Sequence, residues 1–205
     1  LAKEGFTGAA KILEGEKGFC LAMTPQAKLN KLTDGLRNGT YKIDENSFKP
    51  YACCKHCHAA INAMQLLRTD YELVPQHVKG IHIKTNSVAD NLVNNPSPQN
   101  AYGSKFSIQY CVSAALFFGK VGIEEFSPET IKDAAIHQLI NKVTVEVDPE
   151  FEAEFKRNPD KWSVMVIVDT EDGKQYQQFI AYPKGDPQNP VSYEESEDKF
   201  RSLAA

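Results

Sequence analysis

The sequence predicts an α+β domain with a largely antiparallel sheet and packed helices, flanked by helical segments at both termini. Strand-like and helix-like segments are interspersed through the middle of the chain. Two of the strand-like segments flank Glu171-Asp172-Gly173, which is a strong hairpin signal. Up to Gly39, glycines recur so often that only short helical pieces are expected there.

The chain divides into three predicted parts. Residues 1–39 read as short helices that pack on something else, because a domain standing alone would need longer amphipathic helices. Residues 40–185 form the α+β part, and residues 186–205 are a loop followed by a helix. Ser192 and Glu195 form a capping box that opens this last helix.

Hydrophobic periodicity places the elements of the middle part. We expect helices at residues 59–67 and 104–118, and a third that begins at Ser127 and runs to about residue 140. We expect strands at residues 41–44, 78–84, 143–147, 162–168 and 176–182. Residues 164–168 are apolar on both faces, so this strand should lie in the interior of the sheet.

Composition limits the classes of function. The 205 residues are 41% hydrophobic and 24% charged with a formal net charge of -4, which suits a soluble globular protein. No block of like charge indicates a nucleic-acid groove or a basic membrane-binding face, and no apolar run is long enough to span a membrane. The start shows no secretory signal and no initiator Met, which indicates a trimmed chain or a piece of a longer one. Five cysteines, an odd number, favour a reduced cytoplasmic protein.

Residues 48–58 carry the densest group of reactive side chains. The segment lies just before an apolar helix and contains Lys49, Tyr51, Cys53, Cys54, Lys55, His56, Cys57 and His58. Histidine and cysteine titrate near neutral pH, and lysine is a mobile cation. Such a cluster binds metal or haem, or it handles protons and anions in a cleft.

Several chemistries are compatible with this segment. Cys54-x-x-Cys57-His58 matches the attachment pattern for c-type haem, but attachment requires an exported chain. Cys54, Cys57 and one histidine could bind zinc, but structural zinc sites normally use two separated pairs, and Cys20 and Cys111 stand singly and read as small buried apolar residues. The context of a redox motif is not evident. The remaining alternatives are packed cysteines with solvated histidines, or a site that binds carboxylates and transfers protons, which we favour.

Four motifs in order along the chain resemble the MmgE/PrpD superfamily. Lys49-Pro50-Tyr51, Cys54 and His58-Ala59-Ala60 resemble its Lys-Pro-Tyr…Cys-Arg…His-Ala-Ala signature. The other motifs are a Leu-Glu-Gly…Gly-Phe segment, an Ala-Lys-Phe-Ser-x-x-Tyr motif and the C-terminal ending of the family. They correspond here to residues 13–19, residues 104–110, and residues 184–190 followed by Lys199-Phe200.

The resemblance implies a fold and a chemistry. The superfamily includes 2-methylcitrate dehydratase, cis-aconitate decarboxylase and iminodisuccinate epimerase, which transfer protons next to a carboxylate without a metal or organic cofactor. These enzymes have an all-helical domain built from both chain ends and a smaller α+β lid, with the active site in the cleft between them. On this map residues 1–39 and the last helix belong to the helical domain, and residues 40–185 are the lid.

The same resemblance implies the site residues. The expected catalytic residues are Lys49, which binds a substrate carboxylate or assists proton transfer, together with His58 and Tyr110. The expected substrate-binding residues are Lys49, Cys54, His56 and Lys105. From the residues alone, Tyr110 could equally be part of the core and Lys105 a solvated side chain, and we assign no role to His82 or His137.

Family enzymes are about twice as long as this chain, and the other half contributes further catalytic residues. We therefore expect the C-terminal half of such an enzyme, inactive or nearly so by itself. Its expected partners are a small polycarboxylate, the N-terminal helical domain of the same enzyme and a second copy in a homodimer, with no nucleic acid and no membrane. The alternative is a non-catalytic module that binds an anion or another protein.

Overall fold

The computed structural model describes residues 1–36, 38–39 and 41–204. The chain forms two compact units, Leu1–Glu45 and Asn46–Ala205. In the first unit the helix α1 (Phe19–Met23) is accompanied by short 3₁₀ turns at Ala2–Glu4, Leu29–Thr33 and Lys42–Glu45. Gly5, at φ 81°, ends the first of these turns, which agrees with the glycine-limited helices that the sequence predicts.

The strand predicted at residues 41–44 is wrong, because Lys42–Glu45 is a 3₁₀ turn. Lys42 Nζ lies 2.7 Å from Glu45 Oε1, an ion pair between residues three positions apart that suits a helical turn. Ile43, which would have supplied the buried face of a strand, is 73% exposed. A single apolar residue without a partner strand is too little to stabilise extended backbone.

The second unit is built on a four-stranded mixed sheet in the order β2-β1-β3-β4. The strands are β1 (Val78–Thr85), β2 (Val143–Val147), β3 (Val164–Thr170) and β4 (Gln175–Ile180). Strand β1 pairs parallel with β2 and antiparallel with β3, and β3 pairs antiparallel with β4 through the predicted hairpin. The α+β class, these four strands and the interior position of β3 are therefore confirmed.

The described part of the second unit contains seven α-helices, interspersed with the strands. Their bounds are α2 (His58–Asp70), α3 (Ser87–Val93), α4 (Ala101–Ser104), α5 (Ile108–Phe118), α6 (Ala134–Ile140), α7 (Pro149–Arg157) and α8 (Tyr193–Ala204). Short 3₁₀ turns lie at Lys55–Cys57, Pro75–His77, Glu124–Phe126 and Thr130–Lys132. No helix among the residues with described coordinates is long and apolar enough to cross a bilayer.

The core lies between one face of the sheet and the helices α2 and α5. Helix α2 packs on β3, β4 and α5, and α5 also contacts α6 and β2. Buried and half-buried residues alternate strictly along β3, as expected for a strand with one face on the core. The largest fully buried apolar side chains include Ile61, Met64, Leu67, Ile81, Ile83, Ile108, Leu116, Ile136 and Ile140. Each contributes about 1.5–3 kcal/mol relative to an exposed position.

Two predicted helices begin later than expected because internal capping residues interrupt them. The helix predicted from residue 104 starts at Ile108, where the Ser107 hydroxyl accepts from the Tyr110 N–H over 3.0 Å. The helix predicted from Ser127 is a 3₁₀ turn up to Lys132, and α6 begins after Asp133, which caps the Ala135 N–H at 2.7 Å. The capping box at the start of α8 is confirmed, since the Ser192 N–H donates to Glu195 at 2.6 Å and the Glu195 N–H donates back at 3.1 Å.

Helix α7 was not predicted, although Asp148 and Pro149 form a recognisable start. The Asp148 carboxylate accepts from the N–H groups of Glu150 at 2.9 Å and Phe151 at 3.4 Å. Phe151 packs against Phe179 with ring centroids 5.7 Å apart, which places α7 on the face of the sheet opposite to α2. The assignment of both termini to an all-α domain stays a prediction, as do the boundaries at residues 39 and 185.

Candidate active site

The segment before α2 is held by backbone hydrogen bonds to distant parts of the unit. The Phe48 N–H donates to the Gly185 carbonyl over 2.8 Å, and the Cys54 N–H donates to the Lys105 carbonyl over 2.8 Å. Gly185 adopts φ +99°, and a Cβ atom there would lie 1.9 Å from the Phe48 carbonyl oxygen. Glycine is therefore required for the close approach that fixes the backbone next to Lys49.

Lys55 and His56 share one aromatic platform, the indole of Trp162. The His56 ring stacks on it with centroids 4.1 Å apart and an interplanar angle of 2°. Lys55 Nζ lies 4.8 Å from the ring centroid and 2.6 Å from Asp186 Oδ1. Burial and the neighbouring Lys55 charge lower the pKa of His56, so its imidazole is neutral at neutral pH. The group therefore combines a neutral imidazole with a cation that is already paired.

His58, one of the predicted catalytic residues, is buried. The residue is 1% exposed, and its Nε2 lies 3.4 Å from the Cys53 carbonyl oxygen. The ring meets Tyr51 edge-on at 5.0 Å, and the Tyr51 hydroxyl donates to Gln65 Oε1 over 2.7 Å. Burial raises the pKa of Tyr51, so this hydroxyl stays protonated.

Tyr110, the second buried member of the predicted set, lies in the core on α5. Its hydroxyl donates to the Glu125 carbonyl, and its ring packs against Phe126 with centroids 5.5 Å apart. Burial raises the pKa of Tyr110 above its usual value. Lys105 reaches the same Phe126 ring, with its Nζ 5.6 Å from the centroid. The structure thus brings both Tyr110 and Lys105 into contact with the Phe126 ring.

The remaining predicted residues lie nearer the surface. Lys49 is exposed, and its carbonyl accepts a hydrogen bond from Lys199 Nζ on α8. Cys54 and Lys105 are half-buried and are joined by the backbone hydrogen bond described above. The predicted residues therefore fall into two groups. Lys49, Cys54 and Lys105 are at least partly accessible to solvent, whereas His58 and Tyr110 are buried.

Two residues of this group were missed by sequence reasoning. Trp162 was assigned to the start of a strand and Asp186 to a plain turn, but both contact Lys55. The carboxylate of Asp186 is 5% exposed, and a buried carboxylate requires a cation or several donors. Asp186 follows Gly185 in a motif that resembles the family, and this position was the sequence signal that could have identified it.

Two thiols of this segment and one from α5 lie close together. The sulfur atoms of Cys53, Cys57 and Cys111 all lie within 4.8 Å of one another, and all three residues are buried. Hydrogen bonds from Cys111 and Cys57 lower the pKa of the Cys53 thiol, whereas burial raises the pKa values of Cys57 and Cys111. Sequence spacing pointed to Cys54 and Cys57 as a pair, but the structure joins Cys57 to Cys53 and to Cys111 on α5.

Two surface clefts lie away from residues 48–58. One, of about 500 Å³, is lined by residues from the first half of β1, the end of β3 and the adjoining turns, and it includes His82 and Asp169. His82 Nε2 lies 3.0 Å from Asp169 Oδ2, and its Nδ1 lies 2.7 Å from Thr144 Oγ1. The other, of about 410 Å³, is formed by α7. None of the predicted site residues lines either cleft.

The fold and this segment define an α+β domain that carries a lysine- and histidine-containing loop ahead of its first long helix. The sequence pattern of the MmgE/PrpD C-terminal domain matches residues 51–205. The chain belongs to the MmgE/PrpD family, which confirms the resemblance found in the motifs.

Named relatives agree with this assignment. The chain is 27% identical over its whole length to the cis-aconitate decarboxylase-like protein oryM of Aspergillus oryzae, covering 44% of that protein. It is 24% identical to human cis-aconitate decarboxylase, again over its whole length and covering 42% of that protein. Over 72% of the chain it is 23% identical to 2-methylcitrate dehydratase of Salmonella typhimurium, covering 32% of that protein. The chain thus spans less than half the length of each of these relatives.

Proposed function

We propose that the complete protein is a lyase or isomerase that acts on a small di- or tricarboxylate by proton transfer alpha to a carboxylate. The match of residues 51–205 to the MmgE/PrpD C-terminal domain carries this proposal. The relatives named as a decarboxylase and a dehydratase support it, because both names describe lyase reactions. The chain described here supplies the C-terminal part of that enzyme, and by itself it has little or no activity.

Dehydration and epimerisation share a first step. A base removes the proton from the carbon next to a carboxylate, and the electron pair moves onto that carboxylate as an enolate-like dianion. In a dehydration the neighbouring hydroxyl then leaves as water after an acid protonates it, and in an epimerisation a proton returns to the opposite face. A decarboxylation begins instead with loss of carbon dioxide, which leaves the electron pair of the broken carbon–carbon bond on the substrate, and an acid then protonates carbon. The proposed steps use side chains alone.

Cations serve this chemistry by holding carboxylates and by stabilising the dianion. Lys49 is exposed and is the proposed contact with substrate, with Lys105, His56 and Cys54 as further substrate-binding groups. The roles of His58 and Tyr110 in proton transfer stay predictions. Both are buried here, so either one would have to become accessible before it could act on a substrate.

We propose that the remaining catalytic groups come from an N-terminal helical domain of the same enzyme, that the enzyme is a cytoplasmic homodimer, and that nucleic acid and membranes are not partners. A non-catalytic module that binds an anion or another protein is the second candidate. It is favoured by the internal pairing of the polar groups, since Asp186 neutralises Lys55 and the Tyr110 hydroxyl is held by Glu125.

The test uses the full-length protein and a panel of citrate-like acids, with new double bonds followed by ultraviolet absorbance. We expect turnover of at least one acid, and a loss of about 10²-fold or more in kcat/KM for Lys49→Ala and His58→Ala. Lys79→Ala, which removes an exposed lysine of β1, is the matched control and should keep full activity. Full activity in both site variants would remove these residues from the mechanism. Binding of an acid without any turnover would favour the non-catalytic module.

A further inference from the structure

The three buried thiols form the most concentrated set of soft ligand atoms in the described part of the chain. Cys53 lies in the loop before the Lys55–Cys57 turn, Cys57 ends that turn, and Cys111 lies on α5. Their sulfur atoms are mutually within 4.8 Å. The residues are 3%, 0% and 0% exposed, respectively. Two separate pieces of chain therefore deliver sulfur to a single point in the core.

A single buried cysteine is an ordinary apolar core residue. Apolar packing does not explain why three cysteines converge. An apolar core gains nothing from grouping sulfur atoms, because branched aliphatic side chains fill space with less polar character. Cys111 donates a hydrogen bond to the Ser104 carbonyl at 3.6 Å, and the His58 imidazole hydrogen-bonds the Cys53 thiol. The three thiols also hydrogen-bond one another, so their sulfur atoms are grouped around one point.

The distances suit a tetrahedral ion. Zinc–sulfur bonds of about 2.3 Å place the sulfur atoms of a tetrahedral site about 3.8 Å apart. Sulfur atoms that already lie within 4.8 Å of one another need to move by less than about 1 Å to reach that spacing. Cys57 is the residue before the first turn of the thirteen-residue helix α2, whose N-terminal end favours negative charge.

The net charge of the ion with its three thiolates favours Zn²⁺ over Cu⁺. Three thiolates with Zn²⁺ carry a net charge of about -1, whereas the same ligands with Cu⁺ carry about -2, which is much more costly to bury. The amino-terminal end of α2 offsets a single negative charge. His58 follows Cys57 in sequence, but its ring nitrogens do not lie within 4.8 Å of all three sulfur atoms, so the three thiolates are the ligands that the structure brings together.

We propose that Cys53, Cys57 and Cys111 bind one structural zinc ion. The ion links α5 to the loop that carries the proposed substrate-binding residues. This link fixes the position of the backbone that carries Lys55 and His56. Such an ion, held by residues that are 0–3% exposed, lies out of reach of the substrate. The site is independent of the proposed function, because it depends on the thiols and not on any reaction.

The test measures metal content in full-length protein expressed with zinc and purified without chelators. We expect about one zinc ion per chain, falling at least about 10-fold in Cys53→Ser and Cys111→Ser. Cys54→Ser is the matched control, because it removes a half-exposed neighbouring thiol outside the group, and it should keep the ion. Substitution by Co²⁺ should give a thiolate-to-cobalt charge-transfer band in the wild type and in Cys54→Ser.

A second measurement uses wild-type protein, so it tests the proposal even where the cysteine variants fail to fold. Reduced wild-type protein, stripped of metal and then supplied with Zn²⁺, should protect three of its five cysteines from alkylation, as read by peptide mass mapping. Absence of metal together with equal alkylation with and without Zn²⁺ would overturn the proposal. Loss of the ion in Cys54→Ser to the same extent as in Cys53→Ser would overturn it too, as would a disulfide linking two of the three residues in freshly isolated protein.

Discussion

The imidazole of His56 lies flat on the indole of Trp162, with centroids 4.1 Å apart and planes parallel to within 2°. The stack joins the turn before α2 to Trp162, two residues before the start of β3, so it links two segments far apart in sequence. Lys55 extends over the same indole. The only tryptophan of the chain therefore sets the positions of two neighbouring polar side chains in the proposed substrate-binding loop.

The first prediction concerns this platform. Trp162→Ala should lower the free energy of unfolding by about 1–3 kcal/mol, because a stacked pair and a cation–π contact are lost together. In the full-length enzyme we expect KM for the polycarboxylate to rise about 10-fold with little change in kcat. Trp162→Phe keeps an aromatic face and should retain most of both properties. Equal KM values for Trp162→Ala and the wild type would show that the platform does not serve substrate binding.

The second prediction concerns Gly185, which holds the loop near Lys49. Gly185→Ala should lower the free energy of unfolding by about 3 kcal/mol or more, because the new methyl group would meet the Phe48 carbonyl and the left-handed backbone would be strained. The matched control is Gly173→Ala, whose φ of +81° is similar but whose Cβ position has no atom within 4 Å. That variant should lose only about 1 kcal/mol.

Chemical denaturation of both glycine variants supplies the measurement. If the two substitutions lower the free energy of unfolding by the same amount, backbone strain alone explains the loss. The close contact between Gly185 and Phe48 would then make no difference to stability.

Elements with a repeated pattern were predictable from the sequence. The four strands of the sheet and the helix α2 have clear periodicity over five or more residues, and their type was correct. Short elements were less predictable, since their form depends on local capping. Ser107 and Asp133 each start a helix inside a segment that reads as one continuous helix, and Ile43 lacks the partner that would make its segment a strand.

The candidate site was predictable in composition but not in arrangement. The segment around Lys49 and His58 stands out by residue type, yet the sequence does not show that His58 faces inward while Lys49 faces solvent. The contacts of Trp162 and Cys111 with this segment join residues far apart in sequence. Such contacts arise from tertiary packing, which motif spacing along one strand or helix does not encode.

The third prediction separates the two possible roles of Tyr110. Tyr110→Phe should lower the free energy of unfolding by about 1 kcal/mol, because the buried carbonyl of Glu125 loses its donor. If Tyr110 also donates a proton in catalysis, kcat of the full-length enzyme should fall by about 10²-fold. Phe126→Leu, which alters the packing around the same ring but keeps the hydroxyl, is the control. Loss of stability with unchanged kcat would assign Tyr110 to the core alone.

The fourth prediction concerns the pH dependence of stability. A hydrogen bond from the Ser87 N–H, 2.8 Å from Glu152 Oε2, and the nearby Lys156 ammonium lower the pKa of Glu152 to about 2 from its usual 4.5. Because the pKa is lower in the folded state, this carboxylate stabilises the fold above the unfolded value. The stabilisation disappears as the pH falls from about 5 to about 2.

Glu152→Gln keeps an acceptor for Ser87 but removes the charge, so it isolates the titration. We expect this variant to have a lower Tm than the wild type at pH 7, and the difference to vanish as the pH approaches about 2. Glu150→Gln, on an exposed residue in the same first turn of α7, is the control and should follow the wild type through the acid range. A Tm difference between Glu152→Gln and the wild type that stays constant from pH 7 to about pH 2 would contradict the assignment, because the lost free energy would then come from the shape of the side chain and not from its charge.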